Sequence, residues 1–394
     1  MNDEKNNANK KLINREPIDI LIKYIDLKDP NLKRDGIHQI EKDNDNEELR
    51  YSIRSILNNI PWVRKIFILM PNQKVRYFKN SKSMKEKITY IKDKDLLGYN
   101  SSNSLAFQFR YWKMKKFGIS DNIIVMDDDC FIGKRLNKDD FFYVEDGKVV
   151  PLIITSNFLQ INKKSVLQYQ QLYKIKAEKS KEEQNDDIFN YSKYSTFLFV
   201  LNLFNFSLNE NIFIPKYTHN AVPVNLNDIK EIYEFIYNSK YKSTTLDSLY
   251  RHIESLQFQM LILSYTFIKF DKKVKDIPYK FIKINNSITS DYKFSLFCIN
   301  KGPGNYSYID NYKAKIAMEY LFPNPSPYEI IDYSFLNISF NVVYFMDEKM
   351  KDYENQLTKK VEKKELFYFE IINFILVTLI FCKIICRYSY VDYY

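Results

Sequence analysis

Glycine is scarce, with seven residues in 394. None falls in a GxxxxGKS/T pattern, and Gly302-Pro303-Gly304 does not extend to GxGxxG, so a P-loop and a dinucleotide fingerprint are both excluded. Phosphate must then be held by metal, by Arg and Lys, or by helix termini. Cysteine is sparse too: Cys130, Cys298, Cys382 and Cys386. The last two lie in an apolar tail, so no disulfide framework is implied. Three histidines (His38, His219, His252) and no CxxC…CxxC spacing argue against a structural zinc site. The opening "MNDEKNNANKKLINRE" lacks an apolar stretch, so no cleavable signal peptide is expected. Clustered basic residues are missing as well. The net charge of +10 comes mostly from Lys scattered among Asn, Ile and Tyr, which is not a nucleic-acid stripe. The balance still favours phosphate-bearing partners or anionic membrane surfaces.

What is abundant is apolar and aromatic: 45% hydrophobic residues, with 32 Tyr and 30 Phe. That is ample for a folded body. Residues 1–16 are polar and read as a disordered tail. "IDILIKYID" (18–26), "RKIFILM" (64–70), "ITYI" (88–91) and "NIIVM" (122–126) read as strands. "NEELRYSIRSILNNI" (46–60) spaces Leu49, Ile53, Ile56 and Leu57 helically, and 104–118 reads as one amphipathic helix ending at Gly118. Helices are also expected over 225–237 and 246–270, a surface excursion over the charged 173–187, and core at 199–206. The order strand, helix, strand, strand, helix, strand predicts an α/β domain with a Rossmann-like, mostly parallel sheet.

One strand ends in a block of charge: "IIVMDDDCFIG" runs from Ile123 into Asp127, Asp128 and Asp129. Adjacent carboxylates repel and are costly to bury. Ligands of open α/β sheets bind outside the carboxyl ends of the strands, so the block sits where an active site belongs. Its oxygen ligands suit Mg²⁺ or Mn²⁺ bridging to substrate phosphates. An acidic, solvated turn is the plain alternative.

The sequence also resembles a known family. "NEELRYSIRSILNNIPWVRKIFIL" (46–69) is very close to the second conserved region of the Stealth proteins, which include bacterial capsule sugar-phosphate transferases and the catalytic subunit of the lysosomal-enzyme N-acetylglucosamine-1-phosphotransferase. The likeness continues through "NSLAFQFRYWKM" (103–114), "IIVMDDDCFIG" and "DDFF" (139–142). Region one is similar to 17–30, region three to 218–235 with 250–260, and region four to 296–329. The resemblance therefore implies a GT-A-like catalytic domain over 17–345, with conserved regions near 17–30, 43–142, 218–260 and 296–329.

The implied reaction moves a sugar 1-phosphate from a nucleotide-diphosphate sugar, such as UDP-N-acetylglucosamine, to a sugar hydroxyl of a glycan. A phosphodiester forms and nucleoside monophosphate leaves. By resemblance, Asp128 and Asp129 carry the metal and donor, His219 and Arg251 are catalytic, and Asp26, Glu47 and Arg50 contact substrate. Such chemistry needs charge neutralisation and in-line positioning. His219 suits proton transfer from the acceptor and Arg251 a planar fork on phosphate. Several positions depart from the family pattern. Gln108 replaces a catalytic-site glutamate, Leu27 a glycine and Lys301 an aspartate. Pro71-Asn72-Gln73 stands for DGQ or NGQ, and Asp127 replaces a usual Asn.

Past a charged linker (346–365), "LFYFEIINFILVTLIFCKIIC" (366–386) has the length of a bilayer span and is expected to be a C-terminal transmembrane helix. A membrane location in the Golgi or secretory pathway follows by resemblance; a cytoplasmic, membrane-associated protein is the alternative, and a homodimer is left open. Two other functions compete: a nucleotide-sugar glycosyltransferase, and a degenerate glycan-binding membrane protein.

Overall fold

The computed structural model describes residues 2–26, 29, 47–75, 77–99, 101, 103–155, 157–179, 186–250, 252–283, 294–300, 315, 318, 319 and 321–330. Arg251, Leu27, Lys301, the linker and the candidate span at 366–386 lie outside the described residues. Among the described residues, no helix is long and apolar enough to cross a membrane.

Four strands, β1 (Asp19–Lys23), β2 (Ile66–Met70), β3 (Ile88–Lys92) and β4 (Asn122–Asp127), run parallel. The strand Val222–Asn225 closes the sheet antiparallel to β4, giving the order Val222–Asn225, β4, β1, β2, β3. The sheet is thus mostly parallel, with one antiparallel edge that carries Pro223, a residue tolerated at edges. A second sheet adds β5 (Cys130–Ile132), antiparallel to Leu296–Asn300, which runs parallel to Tyr279–Lys283.

Strand alternation sorts the core into two layers. Ile20, Ile22, Ile66, Ile68, Ile124 and Met126 point to one face, where Leu49, Ile53 and Ile56 of the helix Glu48–Asn59 cover them. Leu21, Phe67, Leu69, Ile123 and Val125 point to the other, under Ile229, Ile232 and Ile236 of the helix Leu226–Tyr237 and the apolar helix Phe258–Phe270. The helix Glu48–Asn59 is also stitched to β5. Ser52 Oγ donates to the Cys130 carbonyl (2.8 Å), and Ser55 Oγ accepts from Ile132 N–H (3.0 Å). The serines in this stretch are satisfied partners of a strand, so burying them is tolerated.

The two ends of the sheet differ. At the amino end, fully buried Asp19 accepts from the Arg64 guanidinium, Lys65 N–H and Ser120 N–H, a structural use of a carboxylate. At the carboxyl end lie Asp127 and the segment after Lys23, on neighbouring strands paired Lys23 to Asp127. β1 leads to β2 on one side and has β4 on the other, so this is the point where strand order reverses.

Three expectations are corrected. Residues 1–16 are not a loose tail: Asn2–Arg15 is helical, Ile13 is buried, and Lys138 Nζ donates to the carbonyls of Asn14 and Glu16. The stretch 104–118 is two pieces, Ser104–Gln108 and a 3-10 segment Tyr111–Phe117. Buried Arg110 forces the break, donating to the carbonyls of Ala106 (3.1 Å) and Leu246 (2.7 Å). The expected helix 246–270 is helical only from Phe258. Before it, Ser255 Oγ donates to the Thr244 carbonyl and Thr245 Oγ1 accepts from Leu256 N–H, so side chains capture the backbone groups a helix would use.

Candidate active site

Asp127 ends β4, Asp128 and Asp129 form a two-residue turn, and Cys130 opens β5. The turn aims the block at the segment leading into Val222–Asn225. There His219 Nε2 lies 3.2 Å from Asp129 Oδ1 and 3.5 Å from Asp127 Oδ2. The other ring nitrogen, Nδ1, is 2.8 Å from the Tyr217 hydroxyl. The imidazole is therefore gripped at both ends. Its side chain is 24% exposed, against 15% for Asp129 and 26% for Asp127, so the cluster opens to solvent on one side.

Electrostatics follow from this packing. Burial, the largest influence on His219, opposes its charged form. Asp129, then Cys130 and Tyr217, outweigh burial, and the ring titrates well above the usual histidine range. Burial pushes the Tyr217 phenol up to about 12, with His219 pulling the other way. Cys298 sits opposite Cys130 on the antiparallel pair, and its thiol is pushed up by burial, by Cys130 and by Asp129.

The other expected residues are placed as follows. Asp26 follows β1 at the same sheet edge, and its N–H donates to Gln73 Oε1 (3.2 Å), so the Pro71-Asn72-Gln73 turn steadies it. Gln108 is half-buried at the end of Ser104–Gln108, with no hydrogen bond to the Asp–His cluster among the described residues. Its neighbour Phe107 lies 4.5 Å under Lys23 Nζ.

Glu47 and Arg50 belong to a different constellation. Glu47 meets Arg50 Nη1 (2.8 Å) and Lys315 Nζ (2.8 Å), while Arg50 Nε lies 3.8 Å from Glu329. These ion pairs tie Lys315 and Glu329 to the start of the helix Glu48–Asn59. Tyr217, Cys130 and Cys298 were not expected at the site. The Tyr-x-His spacing of "YTHN" and the Cys directly after the Asp block were the available signals.

Residues 42–150 match the family model described as Stealth protein CR2, conserved region 2. Over these residues the resemblance is borne out: they match the second conserved region of the Stealth proteins. It is 30% identical over 151 residues to a capsular polysaccharide phosphotransferase of Actinobacillus suis, covering 34% of this chain and 40% of that one. The N-acetylglucosamine-1-phosphotransferase subunits alpha/beta of Homo sapiens are 34% identical over 110 residues, covering 27% of this chain and 8% of the relative. The chain spans less than half the length of these curated relatives. A solved galactosyltransferase, LgtC, with donor and acceptor sugar analogs aligns with a TM-score of 0.37 at 10% identity, over 81% of this chain and 99% of that chain.

Proposed function

We propose that this domain transfers a sugar 1-phosphate from a nucleotide-diphosphate sugar to a glycan hydroxyl. The observation that carries the reading is His219 set within 3.2 Å of Asp129 and 3.5 Å of Asp127 at the switch point of an α/β sheet. The matched conserved region and the phosphotransferases that share it support the same chemistry.

The donor set fits a hard cation: three carboxylates adjoin one another at a partly open strand end. Asp128 and Asp129 would hold Mg²⁺ or Mn²⁺, which supplies charge neutralisation to the donor diphosphate. Tyr217 fixes the ring of His219 through Nδ1, leaving Nε2 to take the acceptor proton. With the Asp129 and Asp127 carboxylates beside Nε2, and Asp129 the stronger influence, His219 titrates well above the usual histidine range despite its burial. It becomes a base once the Asp129 charge is engaged elsewhere. Arg251 is assigned to the phosphate oxygens by resemblance.

Incubating the purified chain with Mg²⁺ or Mn²⁺ and a panel of nucleotide sugars tests the reading. Release of nucleoside monophosphate is expected. Release of nucleoside diphosphate would make it a glycosyltransferase instead, and no turnover would favour a glycan-binding protein.

Asp127 takes over, on this reading, the charge lost at Gln108. Asp127→Asn is expected to cut turnover on the order of a hundredfold. Adding Gln108→Glu to it is expected to recover most of the loss. A double variant as slow as Asp127→Asn would overturn this compensation.

We also propose membrane attachment through 366–386. Removing residues 366–394 is expected to move the protein from the membrane to the soluble fraction with its activity retained. A full-length chain that stays soluble without detergent would refute the anchor.

A further inference from the structure

We propose that Asp129, Cys130, His219 and Cys298 form a binding site for a thiophilic divalent cation of the zinc class, sharing Asp129 with the hard-cation site on the Asp block. The four residues come from three remote segments: the turn after β4 into β5, the segment before Val222–Asn225, and the strand Leu296–Asn300. Their donor atoms all lie within 4.8 Å of one another. A soft pair of sulfurs with one imidazole and one carboxylate is a zinc donor set rather than a magnesium one.

The geometry goes beyond proximity. Zinc–nitrogen and zinc–oxygen bond lengths put N and O donors about 3.4 Å apart, and S and O donors about 3.6 Å apart, along the edges of a tetrahedron. His219 Nε2 and Asp129 Oδ1 are 3.2 Å apart, and Cys130 Sγ and Asp129 Oδ1 3.8 Å. Those two edges are already formed. The remaining donor pairs lie within 4.8 Å of one another.

The imidazole is prepared as metal-binding histidines are: Nδ1 meets the Tyr217 hydroxyl, so Nε2 faces the carboxylate and the thiols. Cys130 and Cys298 are cross-strand partners, each almost fully buried and free of disulfide. The part-exposed sides of His219 and Asp129 give a cation its way in.

Such a cation would occupy Asp129 and His219, which the transferase reading needs. Zinc loading and turnover would then exclude each other. The binding itself does not depend on that reading.

Cobalt(II) is the probe, titrated into the reduced full-length chain without substrate. One Co²⁺ per chain is expected, with a thiolate-to-cobalt charge-transfer band that excess Mg²⁺ does not remove. Cys298→Ala and Cys130→Ala should each diminish the band. Tyr217→Phe should keep it while weakening affinity about tenfold or more. Near-UV circular dichroism checks that each variant is folded. Cobalt bound to wild type without a charge-transfer band, or not bound at all, would overturn the site. A band undiminished in both folded cysteine variants would overturn it as well. Because no turnover is read, failure here is separate from failure of the transferase assignment.

Discussion

Asp129→Asn is expected to lower nucleotide-sugar turnover on the order of a hundredfold to a thousandfold, with the protein still folded. Its carboxylate does two things at once. It is the carboxylate nearest His219, and it adjoins Asp128 at the partly open end of β4. An amide keeps the shape and loses both the charge that stabilises protonated His219 and the hard ligand for a cation. The pH dependence should move with it. Removing the Asp129 charge takes away the strongest influence opposing burial, so the ring titrates lower than in wild type. Folding should not suffer, because three adjacent carboxylates become two. Turnover across pH, read beside a thermal melt, checks both claims. Near-normal turnover in Asp129→Asn would sink the assignment. Loss of turnover together with loss of the melt would show a structural role instead.

How much of this was legible in the sequence varies with the range of the forces involved. Parallel β-strands buried on both faces are continuous apolar runs, and β1 to β4 were found from those runs to within a few residues. The helix Glu48–Asn59 was legible because its spacing and its burial agree. Residues 246–257 misled because Leu246, Leu249 and Ile253 imitate helical spacing, while Ser255 and Thr245 take the backbone groups. The break at Arg110 was hidden for a similar reason: its partner carbonyl belongs to Leu246, 136 positions away.

The site divides along the same line. Asp129 and His219 carried a local or family signature, and the fold brings them together. Cys298 carried none, since only the pairing of two strands 168 residues apart in sequence sets it beside Cys130. The absence of CxxC spacing had argued against a zinc site. Spacing rules detect ligands contributed by one hairpin or loop, and these donors come from three segments. Glu47 and Arg50 show the converse. Their motif is conspicuous, and the structure shows it in ion pairs with Lys315 and Glu329, away from the Asp–His cluster.

Arg54→Ala is expected to be strongly destabilising, at about 3–5 kcal/mol. Arg54 is 4% exposed in its side chain, and Glu329 2%. Its guanidinium donates through Nε (2.9 Å) and Nη2 (2.6 Å) to the two oxygens of Glu329, and through Nη1 to Glu319 (2.9 Å) and the Phe322 carbonyl (2.7 Å). The Tyr51 ring lies 4.8 Å from it. One cation thus satisfies two buried carboxylates and a carbonyl, and burial does not neutralise it: the contacts with Glu329 and Glu319 raise its affinity for the proton further. Deleting it strips both buried carboxylates of their strongest cationic partner, leaving Glu329 only the longer 3.8 Å contact with Arg50. Phe322 and Glu329 would then lose their anchor, and with them the bridge between Phe78 and Glu329.

Arg54→Lys should recover only part of the loss, since an ammonium cannot reproduce the fork. Arg54→Met with Glu329→Gln and Glu319→Gln should recover more, because no buried charge is left unpaired. Chemical denaturation of the four proteins decides the matter. A cost for Arg54→Ala below about 1 kcal/mol, the range of solvent-screened surface pairs, would show that water reaches this cluster and that other contacts hold the Glu319–Glu329 stretch.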